Sequence, residues 1–542
     1  MNKHPFSVYV NARISSHRCN GFIVNFGVSS LFHGNLRYIL DMLSKQKGIM
    51  AQHSSDVTKL SVFGIIVAAW STRFTQAEDM GFFLTVSGLV SRGYKLYVET
   101  YEIKDPLFFY LNAIFMKPFG IEGAFYLDII LTGLSLPLAF LVLIKLGLSR
   151  IGAVLSSFVF EFTLTGQFGE PLRTQTLGIF LTLLAIFLGL NAKWVAAGAV
   201  TALVCFSKLP MTVIPIIAIF SVMFVSARLQ AVLKFFIGFA SSFTFFVLLM
   251  LIRGELSGYL DMVGENFRYA STYQAIVGQT PGLLGHFRVW NSDNQRAIIF
   301  LFLFAYLFAL VKSNLKTNLY LVTISVNFGV ASYLFLTAMW PHHLQILCLS
   351  VLFNLASIFH LLAPNQTEIR SSRNSKHEVL VGPISQTSTY ILLFSAMVFP
   401  FTSGAQISVV PQMNLASWNN PSWIKPPEIE MLESLDLGSD QIHFARLGVN
   451  DDLGFGAFLA NSHKMVCMRH GLTGAESIAS IDKYVSCLST QPNVILIAPF
   501  YSSLSERPGN YQYYYAESQK ILSAKFKCEA WNNSDYQLCQ KI

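Results

Sequence analysis

Charge is scarce in this chain. Only 13% of its 542 residues are Asp, Glu, Lys or Arg, where an ordinary soluble protein has about a quarter. Hydrophobic residues make up 53%, and the mean hydropathy is +0.48. So little charge excludes a soluble enzyme of this size. Cysteine is sparse too, 7 in all, which excludes a disulfide-dense miniprotein, while the apolar excess excludes intrinsic disorder and collagen-like repeats. Zinc-ligand spacing, a Walker loop, a G-x-G-x-x-G after a strand and G-x-S-x-G are all missing. A polytopic membrane protein remains.

The net charge of +8 is uneven. From Pro411 to Ile542 there are 10 basic and 13 acidic residues, so the positive excess belongs to the part before it. Basic residues in short cytoplasmic loops orient membrane helices, so the excess calls for no nucleic acid. Apolar stretches that cross or nearly cross a hydrocarbon core of about 30 Å lie near 58–72, 123–145, 150–166, 175–191, 194–208, 210–226, 234–252, 297–311, 319–340, 343–363 and 388–409. These eleven define an all-α polytopic protein. The pair around Ser207, Lys208 and Pro210 could also be one long broken segment.

Flanking charges set the orientation. Inside connections would hold Lys145 and Arg150, then Lys193, then Arg228 and Lys234, then Lys312 and Lys316, then Arg370, Arg373 and Lys376. Outside segments would carry Glu78, Asp79, Glu99, Glu102 and Asp105, then Glu170, then Glu255, Asp261, Glu265 and Asp293. The expectation is a multi-pass cell-membrane protein with a cytoplasmic N-terminus and an outside C-terminal segment. Residues 1–57 read as a weakly structured cytoplasmic extension without a cleavable signal pattern, with Met50 as an alternative start. Residues 58–410 would form the membrane domain, and 411–542 a small extracytoplasmic α/β domain with strands at Ile442–Leu447 and Val494–Pro499 and helices at Ala475–Ser486 and Tyr513–Ala524. Cys467, Cys487, Cys528 and Cys539 fall in that oxidising region. Of three pairings, Cys467 with Cys487 and Cys528 with Cys539 is preferred, and four free buried thiols are the alternative.

The first outer segment, 71–120, concentrates the chemistry. After Asp79, Phe82, Phe83, Val86, Leu89 and Val90 recur at helical spacing, which predicts an amphipathic helix ending near Gly93, with Asp79 at its first turn. Such a carboxylate would be held at a membrane surface, or would simply cap free backbone amides. Pro106–Met116 is aromatic and too short to span, which fits a helix lying in the headgroup layer. Lys104 and Asp105 just before it would meet lipid phosphate, or would act as a snorkelling anchor pair. Asp128 and Glu161 fall inside predicted spans, where charge is costly, so they are expected to face the bundle interior as structural groups.

These residues resemble the GT-C superfamily of integral-membrane glycosyltransferases, in particular glycosyltransferase family 39 and its bacterial branches related to aminoarabinose and protein O-mannosyl transferases. In that pattern, D-E-G-Y-Y opens the first outer loop, G-x-x-Y follows, and an acid-rich stretch leads into K-P-P-L or K-D-P-L and an aromatic surface helix. The counterparts are Asp79, Gly81, Phe82 and Phe83, then Gly93 with Tyr97 or Tyr94, then Glu99 and Glu102, then Lys104, Asp105, Pro106 and Leu107. Weaker matches are Gly198, Lys208 and Pro210, and Trp340 to His343. The pattern departs at Met80, where the family often has Glu, and Glu78 stands before the Asp instead.

The resemblance implies a sugar transferase, hexosyl or pentosyl, that uses a polyprenyl-phosphate donor in the bilayer and an extracytoplasmic glycan, lipid or protein acceptor. Asp79, with Glu78 as understudy, would be the general base in an inverting single displacement. Lys104, helped by Arg268 or Arg288, would stabilise the departing phosphate. Glu99, Glu102, Asp105, His342 and His343 are substrate-binding candidates, although a Pro-His-His turn also has a purely structural use. No organic cofactor or metal ligand is required by this scheme, and a divalent ion is compatible with it. The rivals are a transporter, which would show ionisable residues along a midplane path and repeat symmetry, and a non-catalytic envelope-assembly scaffold.

Overall fold

The computed structural model describes residues 53–71, 80–101, 104–165, 172–226, 229–276, 318–337, 341–362, 431–435, 442–447, 464–469, 477–497, 501–506, 510–531 and 536–542. All packing discussed below lies within residues 56–542. The chain is mostly helical, with a small sheet near its C-terminus. The helices are α1 (Ser54–Ser71), α2 (Met80–Ser91), α3 (Pro106–Phe119), α4 (Glu122–Lys145), α5 (Arg150–Thr165), α6 (Thr174–Leu190), α7 (Trp194–Ser207), α8 (Val213–Ser226), α9 (Leu229–Arg253), α10 (Leu256–Ile276), α11 (Asn318–Leu336), α12 (Leu347–Leu362), α13 (Ile478–Thr490) and α14 (Tyr511–Lys525).

Helices α4 and α9 are long and apolar enough to cross a membrane, while α6, α7, α8, α11 and α12 are shorter apolar helices. In α4, Glu122 in the first turn and Lys145 in the last complement the helix dipole. In α9, Leu233, Phe236, Leu248 and Ile252 are 49–83% exposed. A face of that length and apolarity is stable only against lipid or another apolar surface. The candidate spans at 297–311 and 388–409 lie outside the described residues.

Helix α4 packs on α3, α5 and α6, then α6 on α7, α7 on α9, α8 on α11, and α12 on both α5 and α11. Two glycines set the closest of these crossings. A Cβ at Gly198 would fall 2.0 Å from the Phe235 carbonyl oxygen, and one at Gly238 would fall 1.8 Å from that of Val195. Small residues let backbones meet where no hydrophobic force draws helices together in lipid. Gly238→Ala should therefore force α7 and α9 apart and cost about 1–3 kcal/mol. Gly264→Ala, at an exposed helical position with nothing within 4 Å, should be neutral or slightly stabilising. Thermal unfolding of the two variants in one detergent checks the contrast, and equal midpoints would contradict the crossing.

Two local features, α2 and α10, differ from the sequence expectation, and of the two readings left open around Lys208 the structure shows separate helices. Helix α2 is not an amphipathic surface helix, because Phe83 to Val90 are all buried, including Thr85 and Ser87. The ring of Phe83 packs edge-on against Phe108 and Phe109 of α3, with centroids 5.6 and 6.1 Å away. The apolar run around Lys208 is broken into α7 and α8 by a 3-10 turn at Leu209–Thr212. The connection 253–296, expected outside, contains α10, whose polar sequence gave no apolar periodicity to find.

In the C-terminal region, β2 (His443–Leu447), β3 (Lys464–Met465), β5 (Val494–Ile497), β6 (Phe526–Ala530) and β7 (Gln537–Lys541) form a five-stranded sheet in the order β3-β2-β5-β7-β6. Strands β3, β2 and β5 are parallel, and β7 pairs antiparallel with both β5 and β6. The four residues of β5 are all buried, and Ile481, Leu488, Leu522 and Phe526 pack against this sheet to form its core. A separate parallel pair joins β1 (Thr100–Tyr101), from the first loop, to β4 (Met468–Arg469).

Candidate functional site

The first loop leaves α2 through Gly93, at φ +96°, and turns at Tyr97, at φ +66°. Left-handed backbone at a tyrosine needs outside support. The turn is closed by the Tyr97 N–H donating to the Thr100 carbonyl at 2.7 Å. The Tyr97 hydroxyl donates to the Lys104 carbonyl at 2.7 Å, and Gly258 of α10 admits the Tyr97 backbone where a Cβ would clash at 2.7 Å. Glu99 accepts the Lys95 N–H at 2.6 Å, so its carboxylate serves this turn.

Glu255, fully buried at the start of α10, ties that loop down. Its Oε1 accepts the Leu96 N–H at 2.9 Å and the Arg253 Nε–H at 2.8 Å, and its Oε2 accepts the Tyr110 hydroxyl. The Arg253 guanidinium lies 5.6 Å over the Tyr110 ring and donates to the Tyr94 carbonyl at 3.2 Å. Burial, then the Glu255 contact, push the Tyr110 phenol well above its ordinary range, so it stays a donor.

Asp105 is a second buried tie. Its Oδ2 accepts the Leu209 N–H at 3.0 Å and its Oδ1 the Tyr259 hydroxyl at 3.2 Å. Burial pushes its carboxyl above the usual carboxylate range, against the Leu209 bond, the Lys208 charge, the Tyr259 bond and the Lys104 charge, which all favour the ion. The side chain expected to face the membrane surface therefore joins α3, α10 and the turn after α7. A sequence cannot reveal that, because its partners lie 104 and 154 residues away.

Around this tie, cations from three elements converge. Lys104 precedes α3, Arg173 is the N-cap residue of α6, and Lys208 is the C-cap residue of α7. All three act electrostatically on His343, which is buried in the 3-10 turn Pro341–Ile346. The Ser207 hydroxyl donates to the Thr174 carbonyl at 3.3 Å, which fastens the Lys208 end of α7 to the Arg173 end of α6. Arg173, 4% exposed, lies 5.9 Å over the Phe83 ring, and His343 meets Tyr333 edge-on at 6.1 Å. Among the described residues, half-buried Lys104 and buried Arg173 and Lys208 outnumber the buried Asp105 carboxylate here, and such a positive excess suits a phosphate. Lys104 and His343 were sequence candidates. Arg173 was not a sequence candidate, although a basic residue in the otherwise acidic outer connection with Glu170 was the signal that could have marked it, and Lys208 was visible only through the resemblance.

The remaining candidates are placed differently or not at all. Arg268 sits 3.8 Å from Glu265, whose carboxylate accepts the Ser477 hydroxyl at 2.7 Å and N–H at 3.2 Å. Arg268 thus lies at the junction between α10 and the N-cap of α13. Asp79, Glu78, Glu102 and Arg288 lie outside the described residues, and of His342 only the backbone is described. Disulfides join Cys467 to Cys487 and Cys528 to Cys539. Among the described residues, no group of three or more His, Cys, Asp and Glu is arranged to hold a metal ion.

No protein-family model matches this chain, and no curated protein does. Among solved structures, it is similar to the archaeal oligosaccharyltransferase AglB from Archaeoglobus fulgidus in complex with an inhibitory peptide and a dolichol-phosphate. That match has a TM-score of 0.44 and 10% identity, over 89% of this chain and 73% of that one. It is also similar to ArnT from Cupriavidus metallidurans in the apo state, with a TM-score of 0.45 and 11% identity over 91% of this chain and 98% of that one. The undecaprenyl-phosphate-bound form of ArnT gives 0.43 and 11% over the same shares.

Proposed function

We propose that this chain is a GT-C type membrane glycosyltransferase that moves a sugar from a polyprenyl-phosphate donor to an extracytoplasmic acceptor. The observation that carries the reading is the convergence of Lys104, Arg173 and Lys208 on buried His343, beside the Lys104–Leu107 segment that resembles the family. The acceptor oxygen or nitrogen attacks the anomeric carbon, the bond from that carbon to the phosphate oxygen breaks, and the configuration inverts. The acceptor proton passes to Asp79, with Glu78 as the alternative base. The lipid phosphate gains one negative charge as it leaves, so fixed cations stabilise the transition state more than the bound donor.

The bilayer orientation proposed is a cytoplasmic N-terminus and an extracytoplasmic C-terminal domain, supported by the acid-rich first loop and by two disulfides in the C-terminal region.

Transfer of radiolabelled sugar from a panel of synthetic polyprenyl-phosphate sugars by purified protein in lipid tests the reading. Turnover with one donor supports it, and no turnover from demonstrably folded protein moves weight to a transporter or scaffold. Within an active assay, Lys208→Ala should lower kcat/KM by about tenfold to a hundredfold, the neighbouring cations sharing the charge. Unchanged kcat/KM for the donor would remove Lys208 from phosphate handling.

A further inference from the structure

Two buried side chains have hydrogen-bonding capacity that phosphate handling leaves unused. Gln345 lies two residues after His343 in the same 3-10 turn, and Thr176 lies in the first turn of α6, three residues after Arg173. Each is 2% exposed. The Gln345 Nε2–H donates to the Thr176 hydroxyl oxygen at 3.2 Å, and the Thr176 N–H donates to the Arg173 carbonyl at 3.1 Å. These bonds join the turn that carries His343 to the end of α6 that carries Arg173. The other polar atom of the Gln345 amide, Oε1, is buried with no hydrogen-bond partner among the described residues. A buried acceptor left unmet carries the full cost of its desolvation, so its presence calls for a donor that arrives from outside the fold.

The kind of donor follows from the acceptor. An ionised phosphate oxygen has no hydrogen to give to a carbonyl oxygen, whereas a sugar hydroxyl has one and can accept a second hydrogen bond through its own oxygen. Thr176 takes the Gln345 amide on its oxygen and so keeps its O–H to give. We propose that Gln345 and Thr176 recognise one hydroxyl of the donor sugar, Gln345 Oε1 accepting its hydrogen and the Thr176 O–H donating to its oxygen. This rests on the reading in which the neighbouring cations receive the donor phosphate. The pair sets sugar specificity, and the phosphate is left to Lys104, Arg173 and Lys208.

The test measures binding to protein in lipid nanodiscs of three probes: a synthetic polyprenyl phosphate without sugar, the synthetic polyprenyl-phosphate sugar that wild type binds most tightly, and the set of monodeoxy analogues of that sugar donor. Wild type should bind one deoxy donor about tenfold more weakly than its parent, because a site built around a hydroxyl rejects the analogue that lacks it. Gln345→Leu should bind the parent about tenfold more weakly than wild type does, with no further loss for that deoxy donor, since both changes remove the same bond. The bare polyprenyl phosphate should bind Gln345→Leu within about twofold of wild type. If Gln345→Leu weakens the bare phosphate as much as the sugar donor, the amide serves the phosphate; the inference is overturned and the donor reading stands. Equal affinity of wild type for the parent and every deoxy donor, or a deoxy penalty that persists in Gln345→Leu, also overturns the inference alone. Failure of wild type to bind the bare phosphate and every sugar donor overturns both. Gln345→Met, unbranched like glutamine but without the carbonyl, carries the same expectations should Gln345→Leu not fold, and the wild-type comparison of deoxy donors needs no variant.

Discussion

Glu255→Leu is expected to destabilise the folded protein by about 3–5 kcal/mol, the usual consequence of removing one member of a buried, hydrogen-bonded charge pair. Leucine fills the space but offers no acceptor, so the Leu96 N–H and the Tyr110 hydroxyl lose their partner and the Arg253 guanidinium loses its counter-charge. An orphaned buried donor carries its full desolvation cost. Arg253 is 32% exposed and can partly turn to water, which favours the lower end of the range. Glu255→Gln, which keeps the carbonyl oxygen for the Leu96 bond, should lose clearly less. Thermal unfolding in a single detergent measures the series. A Glu255→Leu midpoint equal to wild type would show that the loop is held by other contacts.

Asp79→Asn is expected to lower sugar transfer by about a hundredfold to ten-thousandfold, the range of general-base catalysis, with membrane abundance unchanged. The amide matches the carboxylate in shape but cannot accept the acceptor's proton. Asp79 immediately precedes α2, and Phe83, four residues further on, lies under Arg173. Glu78→Gln is the companion variant. If Glu78→Gln is inactive and Asp79→Asn is active, the neighbouring acid has taken the place of the Glu that Met80 replaces.

What could be read from the residues was what local pattern controls. The aromatic segment after Asp105 does form a helix, Pro106–Phe119, and Pro106 at its first position explains the start. The strands at His443–Leu447 and Val494–Ile497 lie within one residue or two of the expected bounds, and the second is a continuous β-branched and aliphatic run. What could not be read was how distant segments share a buried group. Glu255 and Asp105 look like acids of outer loops, yet each is enclosed by partners more than 100 residues away. Helix α10 was missed because its buried face is narrow and its sequence polar. Asp128 was expected from its cost in lipid to face the bundle interior, and it is buried in α4.

The parallel pairing of Thr100–Tyr101 with Met468–Arg469 has a consequence for how the protein can be engineered. Two residues of the C-terminal region pair with Thr100–Tyr101 of the loop after α2, and Glu265 of α10 accepts the Ser477 hydroxyl. The last quarter of the chain is therefore not a detachable accessory. A truncated membrane portion would expose an unpaired strand edge beside its own charged centre, and a chimera with a foreign C-terminal domain would need to supply a strand at the same place. Interchange between such proteins would succeed only at joints that keep loop and strand together.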